Sequence, residues 1–140
     1  MRRLAVLACL LAVPAAAGCG GEDDTTGARK AAQGYVARLG KRDGAGTCAA
    51  MTHRLQGQFI RAATRTNARF RGRTCAKVMQ AALDSVAPDQ LAQFASARID
   101  HVRVDGDSGS FRYSLGAIRV DGRVAREDGD WKVSCCVPGQ

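Results

Sequence analysis

Apolar residues recur at helical spacing through the first half of the chain. From residue 31 to residue 94 they stand three and four positions apart, the period of an amphipathic helix. The first stripe ends before Gly40, with Thr25 or Thr26 as its N-cap. Thr47 and Thr74 are expected to cap two later helices, and Pro88 suits the first turn of a last helix. The apolar positions are Ala31, Ala32, Tyr35, Val36, Leu39, Cys48, Met51, Leu55, Phe59, Ala62, Ala63, Cys75, Val78, Met79, Ala82, Leu83, Leu91 and Phe94.

After Ser96 the apolar period changes to two, which indicates strands. Asp-Gly pairs at 105–106, 121–122 and 128–129 predict three hairpin turns and about four antiparallel strands. The register from 115 to 124 stays open, because Gly116 marks either a bulge or a bend. One predicted face is apolar: Val102, Val104, Phe111, Tyr113, Leu115, Val124, Trp131, Val133 and Cys135. The sequence therefore predicts an α+β fold, with N-terminal helices packed on one face of a curved, roughly four-stranded antiparallel sheet.

The first residues have the form of a secretory signal. Arg2 and Arg3 precede an apolar run at residues 4–13, which is shorter than the roughly 20 residues that a membrane-spanning helix needs. Small residues follow, and the stretch Ala-Ala-Gly-Cys at 16–19 resembles a bacterial lipobox, in which the cysteine is acylated. Ala16 departs from the usual leucine. The resemblance implies that Cys19 is the lipid-bearing first residue at the outer face of the cell membrane. Plain secretion with cleavage near Ala17, and a metal-binding or disulfide role for Cys19, are the alternatives.

The predicted domain organisation follows from this signal. Residues 1–18 form the signal peptide, 19–27 a flexible acidic tether, and 28–140 a single α+β domain. The tether prediction depends on residues 20–27, which contain no apolar side chain and so have nothing to bury. Its acidic residues are expected to be repelled by anionic headgroups and to hold the domain off the membrane surface.

Residues 28–137 resemble the small secreted members of the nuclear transport factor two-like (SnoaL-like) superfamily. The resemblance rests on the order and spacing of Tyr35, Val36, Leu39, Asp43, Cys48, Met51, Cys75, Asp128, Gly129, Trp131 and Val133. Asp130 stands where these proteins usually have glycine. The resemblance implies a cone-like fold in which helices close over a bent sheet. Many members have a pocket inside the cone, and many of the lipoprotein members have no assigned activity.

Four cysteines remain in the chain after Cys9 and Cys19 are set aside. Cys48 and Cys75 lie on two neighbouring predicted helices, and in an oxidising compartment they are the expected disulfide pair. Such a bond closes a loop of about 28 residues and stabilises the fold by roughly 3–4 kcal/mol in the chain-entropy model. Cys135 and Cys136 are expected as one buried and one exposed thiol, or else as a vicinal disulfide.

Positive charge is concentrated in the helical half. Residues 28–95 contain twelve basic residues against three acidic ones, and no acidic residue occurs between 44 and 83. The candidate polyanion surface is Arg54, Arg61, Arg65, Arg69, Arg71, Arg73 and Lys77. Its expected partners are anionic lipid or a wall polymer. The alternative is an ordinary solvated face. Nucleic acid is not expected, because the predicted location is extracytoplasmic and no recognition motif is present.

Few residues of the chain are candidates for catalysis. The only histidines are His53, near a helix start, and His101, on the polar face of the first strand, and both are expected to be exposed. No carboxylate lies on the predicted inward face, and Asp100 reaches it only if the strand register slips by one. Two isolated histidines do not make a metal site, and no phosphate-binding loop is present. We therefore expect no cofactor, no metal and no enzymatic activity.

The same inward face suggests a binding pocket. Its candidate residues are Tyr35, Leu39, Phe111, Tyr113, Trp131 and Val133. A cavity between them would be aromatic and uncharged, with tyrosine hydroxyls to orient an apolar ligand and no general base. The alternative is that these rings simply fill the core.

The sequence thus predicts a lipid-anchored, non-catalytic binding or interaction module. An isomerase- or dehydratase-like enzyme of the same superfamily and a structural envelope protein without a pocket are the alternatives. The ligand and the oligomeric state stay open.

Overall fold

Five helices precede four strands, in the order that the two hydrophobic periods predict. The computed structural model describes residues 21–135. The helices are α1 (Gly21–Gly40), α2 (Gly44–Ala49), α3 (His53–Thr66), α4 (Cys75–Asp84) and α5 (Pro88–Ala95), with a 3-10 turn at Ala68–Phe70 between α3 and α4. The strands are β1 (Arg98–Asp105), β2 (Ser108–Leu115), β3 (Ile118–Glu127) and β4 (Asp130–Cys135). They form one antiparallel sheet in the order β1-β2-β3-β4, so the predicted α+β class is confirmed.

Several predictions concern residues that the structure does not describe. The signal peptide at 1–18, Cys19 and Cys136 lie outside residues 21–135. Within those residues, no helix combines the length and apolar character that crossing a membrane requires.

Helix α1 begins at Gly21, well before the expected start near Ala28. The prediction of a flexible tether is therefore wrong from Gly21 onward, and Thr25 and Thr26 lie inside the helix rather than at its cap. The reason is tertiary contact. Asp24 pairs with Arg126 on β3, and Gly27 lies so close to the indole of Trp131 that an added Cβ would stand 2.8 Å from it. These contacts stabilise helical turns in a polar segment for which the sequence predicts no helix.

Capping residues set the start of the other helices. Asp43, not Thr47, caps α2: its carboxylate accepts a hydrogen bond from the Gly46 N–H at 2.8 Å. Thr47 lies within that helix and donates its hydroxyl to the Asp43 carbonyl. Thr74 caps α4 as predicted, and Pro88 occupies the first turn of α5 as predicted.

The predicted hairpin turn at 121–122 is wrong. Both residues lie inside β3, and the turn between β2 and β3 falls at Gly116, which has φ of +58°. Gly122 is opposite Phe111 in the ladder, and a Cβ added to it would stand 2.3 Å from the end of the phenyl ring. Glycine at 122 therefore makes room for a core ring rather than a turn. The turn at 128–129 falls on its Asp-Gly pair as predicted, whereas the first turn lies at 106–107, one residue after the predicted pair, because Asp105 still belongs to β1.

A β-bulge in β1 sets which residues of that strand face the core. The pairing with β2 shifts between Asp100 and Arg103, where His101 has φ of +49°. The bulge places Ile99, which is opposite Tyr113, on the core side. Asp100 stays exposed, so no carboxylate enters the core through this strand.

The core lies between α1 and the sheet. Helix α1 contacts all four strands, and its buried stripe is Ala28, Ala32, Tyr35, Val36 and Leu39. Of the predicted apolar face, Phe111, Tyr113, Val124 and Val133 are buried. Val102, Val104, Leu115 and Trp131 are half-buried against the same cluster. Helices cover one face of the sheet, as expected.

Candidate functional site

The six candidate pocket residues come together, but as packed core. Tyr35, Tyr113 and Val133 are each 0% exposed, and Leu39 and Phe111 are nearly so. They belong to one contiguous hydrophobic cluster, with Trp131 at its edge. Of the surface clefts described on residues 21–135, one is bordered by Phe111 and another by Trp131, and none by the other four. The structure therefore favours the alternative in which these rings fill the core.

Two tyrosine hydroxyls end inside this core. Neither the Tyr35 nor the Tyr113 hydroxyl has a hydrogen-bond partner within the described residues. Burial, and then the proximity of Tyr113, raises the pKa of Tyr35 far above its usual value. Burial raises the pKa of Tyr113 to about 12. Both hydroxyls therefore stay protonated at neutral pH, and neither supplies a general base.

The predicted polyanion surface is exposed, and it is called here the basic surface. It consists of Arg54, Arg61, Arg65, Arg69, Arg71, Arg73 and Lys77, all of which are exposed. On α3 the basic positions are seven and four residues apart, which places them along one side of the helix. Within the described part of the chain, none of the seven forms an ion pair with an acidic residue. Their charge is therefore available to a partner.

A cleft on the basic surface lies between the 3-10 turn and α4. It has a volume of about 410 Å³, and Arg69, Phe70, Arg73 and Lys77 line it. The Arg69 guanidinium stands 5.0 Å from the centre of the Phe70 ring. Asp84 borders the far end of the cleft, where its carboxylate accepts a hydrogen bond from Gln80. Three cations beside an apolar ring suit an anionic group attached to carbon, such as a phosphate ester.

Seven of the thirteen acidic residues lie elsewhere, toward the end of the domain that holds the N-terminus of α1. This region, called here the acidic end, consists of Asp23, Asp24, Asp105, Asp107, Glu127, Asp128 and Asp130. Arg126 joins its parts: the guanidinium pairs with Asp24, lies 3.6 Å from Asp107, and stacks 4.9 Å from the centre of the Trp131 ring. The sequence did not reveal this grouping, because α1 and β3 meet only in the folded chain.

His53 lies among carboxylates at the same end, so the expectation of two isolated histidines is wrong for this residue. Ligand atoms of His53, Glu127 and Asp128 lie within 4.8 Å of one another. Glu127 already accepts hydrogen bonds from the His53 backbone N–H and from Lys132. Partial burial opposes ionisation of Glu127, but these hydrogen bonds outweigh it and lower the pKa. The Lys132 ammonium, 3.1 Å from the carboxylate, supplies the charge that a metal would bring.

His101 lies beside a second cleft, on the outward face of the sheet. This cleft measures about 520 Å³ and is also bordered by Arg103, Ser110 and Arg123, which pair across three neighbouring strands. The carboxylate that borders this cleft, Asp121, is engaged by Arg112 at 2.7 Å, and that hydrogen bond lowers the pKa of Asp121. The exposed histidine thus has cations around it rather than the carboxylate that would orient a catalytic base.

The predicted disulfide is present. Cys48 on α2 and Cys75 on α4 are bonded, with their Cα atoms 6.0 Å apart. Cys135 is also disulfide-bonded, so a free thiol at that position is excluded.

Comparison with known proteins gives no relative. No protein-family model matches the chain, and neither the curated proteins nor the solved structures contain a significant match. The resemblance to the nuclear transport factor two-like superfamily therefore stays a prediction.

Proposed function

We propose that this protein is an extracytoplasmic lipoprotein whose domain is a non-catalytic module that binds anionic groups through its basic surface. The observation that carries the proposal is the basic surface itself, with seven exposed cations and no acidic partner within the described residues. Phosphate- or carboxylate-bearing lipids and polymers of the cell envelope have the complementary charge.

Like charges on neighbouring elements support a binding role over a merely solvated face. Arg69, Arg71 and Arg73 lie within five residues, and Lys77 follows one turn later on α4. Their mutual repulsion opposes folding of the segment, and a bound anion relieves it. A solvated face ordinarily mixes both signs of charge, as the outward face of the sheet does where Arg112 pairs with Asp121.

The location is supported by cysteine chemistry. A disulfide that joins α2 to α4 suits an oxidising compartment outside the cytoplasm. The lipobox-like stretch ending at Cys19 supplies the proposed anchor. The filled core favours a binding module over an isomerase-like enzyme, because such an enzyme uses a carboxylate or histidine that projects into an open cone.

Neutralising part of the basic surface is expected to abolish most polyanion binding. The variant Arg65→Gln, Arg69→Gln, Arg73→Gln and Lys77→Gln should bind polyphosphate on the order of a thousandfold more weakly at low salt, since each of the four lost cations contributes about 1 kcal/mol near an anionic surface. The measurement is fluorescence anisotropy of labelled polyphosphate. Wild-type binding should weaken steeply as salt is raised.

The matched control removes cations from the sheet instead. Arg98 and Arg119 are exposed on β1 and β3, and the Arg98→Gln, Arg119→Gln variant should bind within about threefold of wild type. A loss of binding free energy that is the same per cation removed in the two variants would show that only net charge matters, and the proposed surface would then be wrong.

Removing the acylated thiol is expected to release the protein from the membrane. Cys19→Ser should move the protein into the soluble fraction after a high-salt wash, because a hydroxyl is not lipidated by this pathway. Cys9→Ser changes a cysteine inside the predicted signal peptide and serves as the control, which should stay with the membrane. Retention of the Cys19→Ser protein in washed membranes would refute the anchor.

A further inference from the structure

The connection between the proposed anchor and helix α1 is very short, and it determines which end of the domain lies next to the membrane. We propose that the basic surface points away from the anchoring membrane and binds a phosphate- or carboxylate-bearing polymer of the cell wall, not the headgroups beside the anchor. This inference rests on the proposed function and names the partner of its surface.

Gly20 is the only residue between Cys19 and the start of α1 at Gly21. Two residue steps span at most about 7 Å, so the proposed lipid attachment lies that close to the helix. The first turns of α1 are held on the sheet by the Asp24–Arg126 pair, by the contact of Gly27 with Trp131, and by Ala28, which is fully buried. The anchor is therefore joined to the folded domain without a long flexible spacer.

The acidic end surrounds this attachment point. Asp24 and Asp107 both meet Arg126, and Asp130 borders the cleft that contains Gly27 and Trp131. Lys30, Arg38 and Lys132 line the same cleft, so the seven carboxylates of the acidic end outnumber the four cations beside them, Arg126 included. Anionic headgroups repel carboxylates that lie within a Debye length, which is about 8–10 Å at physiological salt. The end nearest the anchor is thus the part of the domain that an anionic membrane attracts least.

The basic surface lies toward the opposite end of α1. Helix α4, which carries Lys77, is hydrogen-bonded there: Gln80 accepts from the Gly44 N–H at 3.1 Å, and the Arg42 guanidinium donates to the Val86 carbonyl at 3.1 Å. From Asp24 to Gly40 the helical rise gives roughly 24 Å, more than two Debye lengths. Arg54 is the exception, since it borders the same cleft as Glu127.

Tilting the domain does not remove this separation of charge. An attachment within about 7 Å of α1 keeps the acidic end beside the membrane in every orientation, whereas the basic surface reaches the headgroups only if the whole domain lies flat. An anionic polymer above the membrane meets the basic surface without bringing the acidic end toward another negative surface. The arrangement of charges along α1 therefore selects the polymer as the partner.

The test measures energy transfer from tryptophan to a dansyl-labelled lipid in vesicles that carry the full-length acylated protein. Trp131 is the only tryptophan and lies beside the anchor end of α1, so the unmodified protein supplies the first probe. The Trp131→Phe, Phe70→Trp variant moves the probe to the basic surface. Transfer from Trp131 should be at least severalfold stronger than from the Phe70→Trp probe, and adding phosphatidylglycerol should change neither. Stronger transfer from the Phe70→Trp probe, or an increase with phosphatidylglycerol, would overturn the inference.

A linker insertion tests whether the short connection is the cause. About twelve Gly-Ser residues inserted between Gly20 and Gly21 should let the basic surface reach the membrane. Transfer from the Phe70→Trp probe should then increase when phosphatidylglycerol is added and decrease at high salt. An insertion without effect would show that the connection does not set the orientation, and the inference would fail.

Polyphosphate binding separates this inference from the proposed function and requires no tryptophan substitution. The Cys19→Ser protein in solution and the acylated protein on phosphatidylglycerol vesicles should bind polyphosphate with affinities within about threefold of each other. Binding in solution that is lost on vesicles would refute the orientation alone. Absence of binding in both forms would refute the proposed function.

Discussion

Replacing Cys48 and Cys75 together by alanine is expected to lower the free energy of unfolding by about 3–4 kcal/mol. The bond joins α2 to α4 across a sequence separation of 27, and without it the unfolded chain regains the entropy of that loop. A domain of this size has a total stability of about 5–15 kcal/mol, and this chain has only seven aromatic residues with which to build a core. The loss is therefore a large part of the whole.

The loop that this disulfide closes contains most of the basic surface. Six of its seven residues lie between Cys48 and Cys75, on α3, the 3-10 turn and the segment before α4. Repulsion among these cations favours opening of the loop, and the disulfide opposes it. We therefore expect the double variant to lose polyanion affinity along with stability, through disorder of the segment and without loss of any cation.

Urea unfolding followed by circular dichroism measures the effect. A reductant should lower the stability of the wild-type protein by a similar amount. Any further effect of reductant on the Cys48→Ala, Cys75→Ala variant reports the separate disulfide of Cys135. A double variant as stable as wild type under oxidising conditions would show that the helices hold their arrangement without the bond.

Local sequence predicted the elements well because each one carries its own period and stop signals. Thr74 marks a helix start by capping, and Pro88 marks one by the fixed φ that suits a first turn. Asp128-Gly129 marks a turn by its tolerance of positive φ, here +55° and +86°. The disulfide also followed from sequence, since it required only that two helices be neighbours.

The remaining features depend on contacts between distant residues. The sequence predicts a turn at Gly122, but in the structure the absence of a side chain there makes room for the Phe111 ring. The start of α1 has no apolar stripe, and it folds because Arg126, which lies 102 positions from Asp24, supplies the partner. The acidic end, on which the orientation inference depends, is assembled by these same long-range contacts. No local sequence pattern predicts the acidic end.

Alkaline pH is expected to unfold the protein through the two core tyrosines. An unfolded tyrosine has a pKa near 10, whereas burial holds the pKa of Tyr113 at about 12 and raises that of Tyr35 as well. Between these values the unfolded chain releases the two protons and the folded chain keeps them, so stability falls as the pH rises. The contribution is fully present below about pH 10. Above it, the loss is about 1.4 kcal/mol per pH unit for each tyrosine.

The Tyr35→Phe, Tyr113→Phe variant isolates this effect. Urea unfolding of the variant should lack roughly 2.7 kcal/mol per pH unit of the wild-type decline between pH 10 and 12. At neutral pH the variant should be at least as stable as wild type, because each lost hydroxyl is buried without a hydrogen-bond partner in the described residues.

The chain has only two tyrosines, so phenolate absorbance gives an independent readout of both groups. Ionisation of either phenol near pH 10 in the folded protein would show that the ring reaches solvent. The core would then contain the opening that the filled cluster argues against, and a ligand site between Tyr35 and Tyr113 would have to be reconsidered.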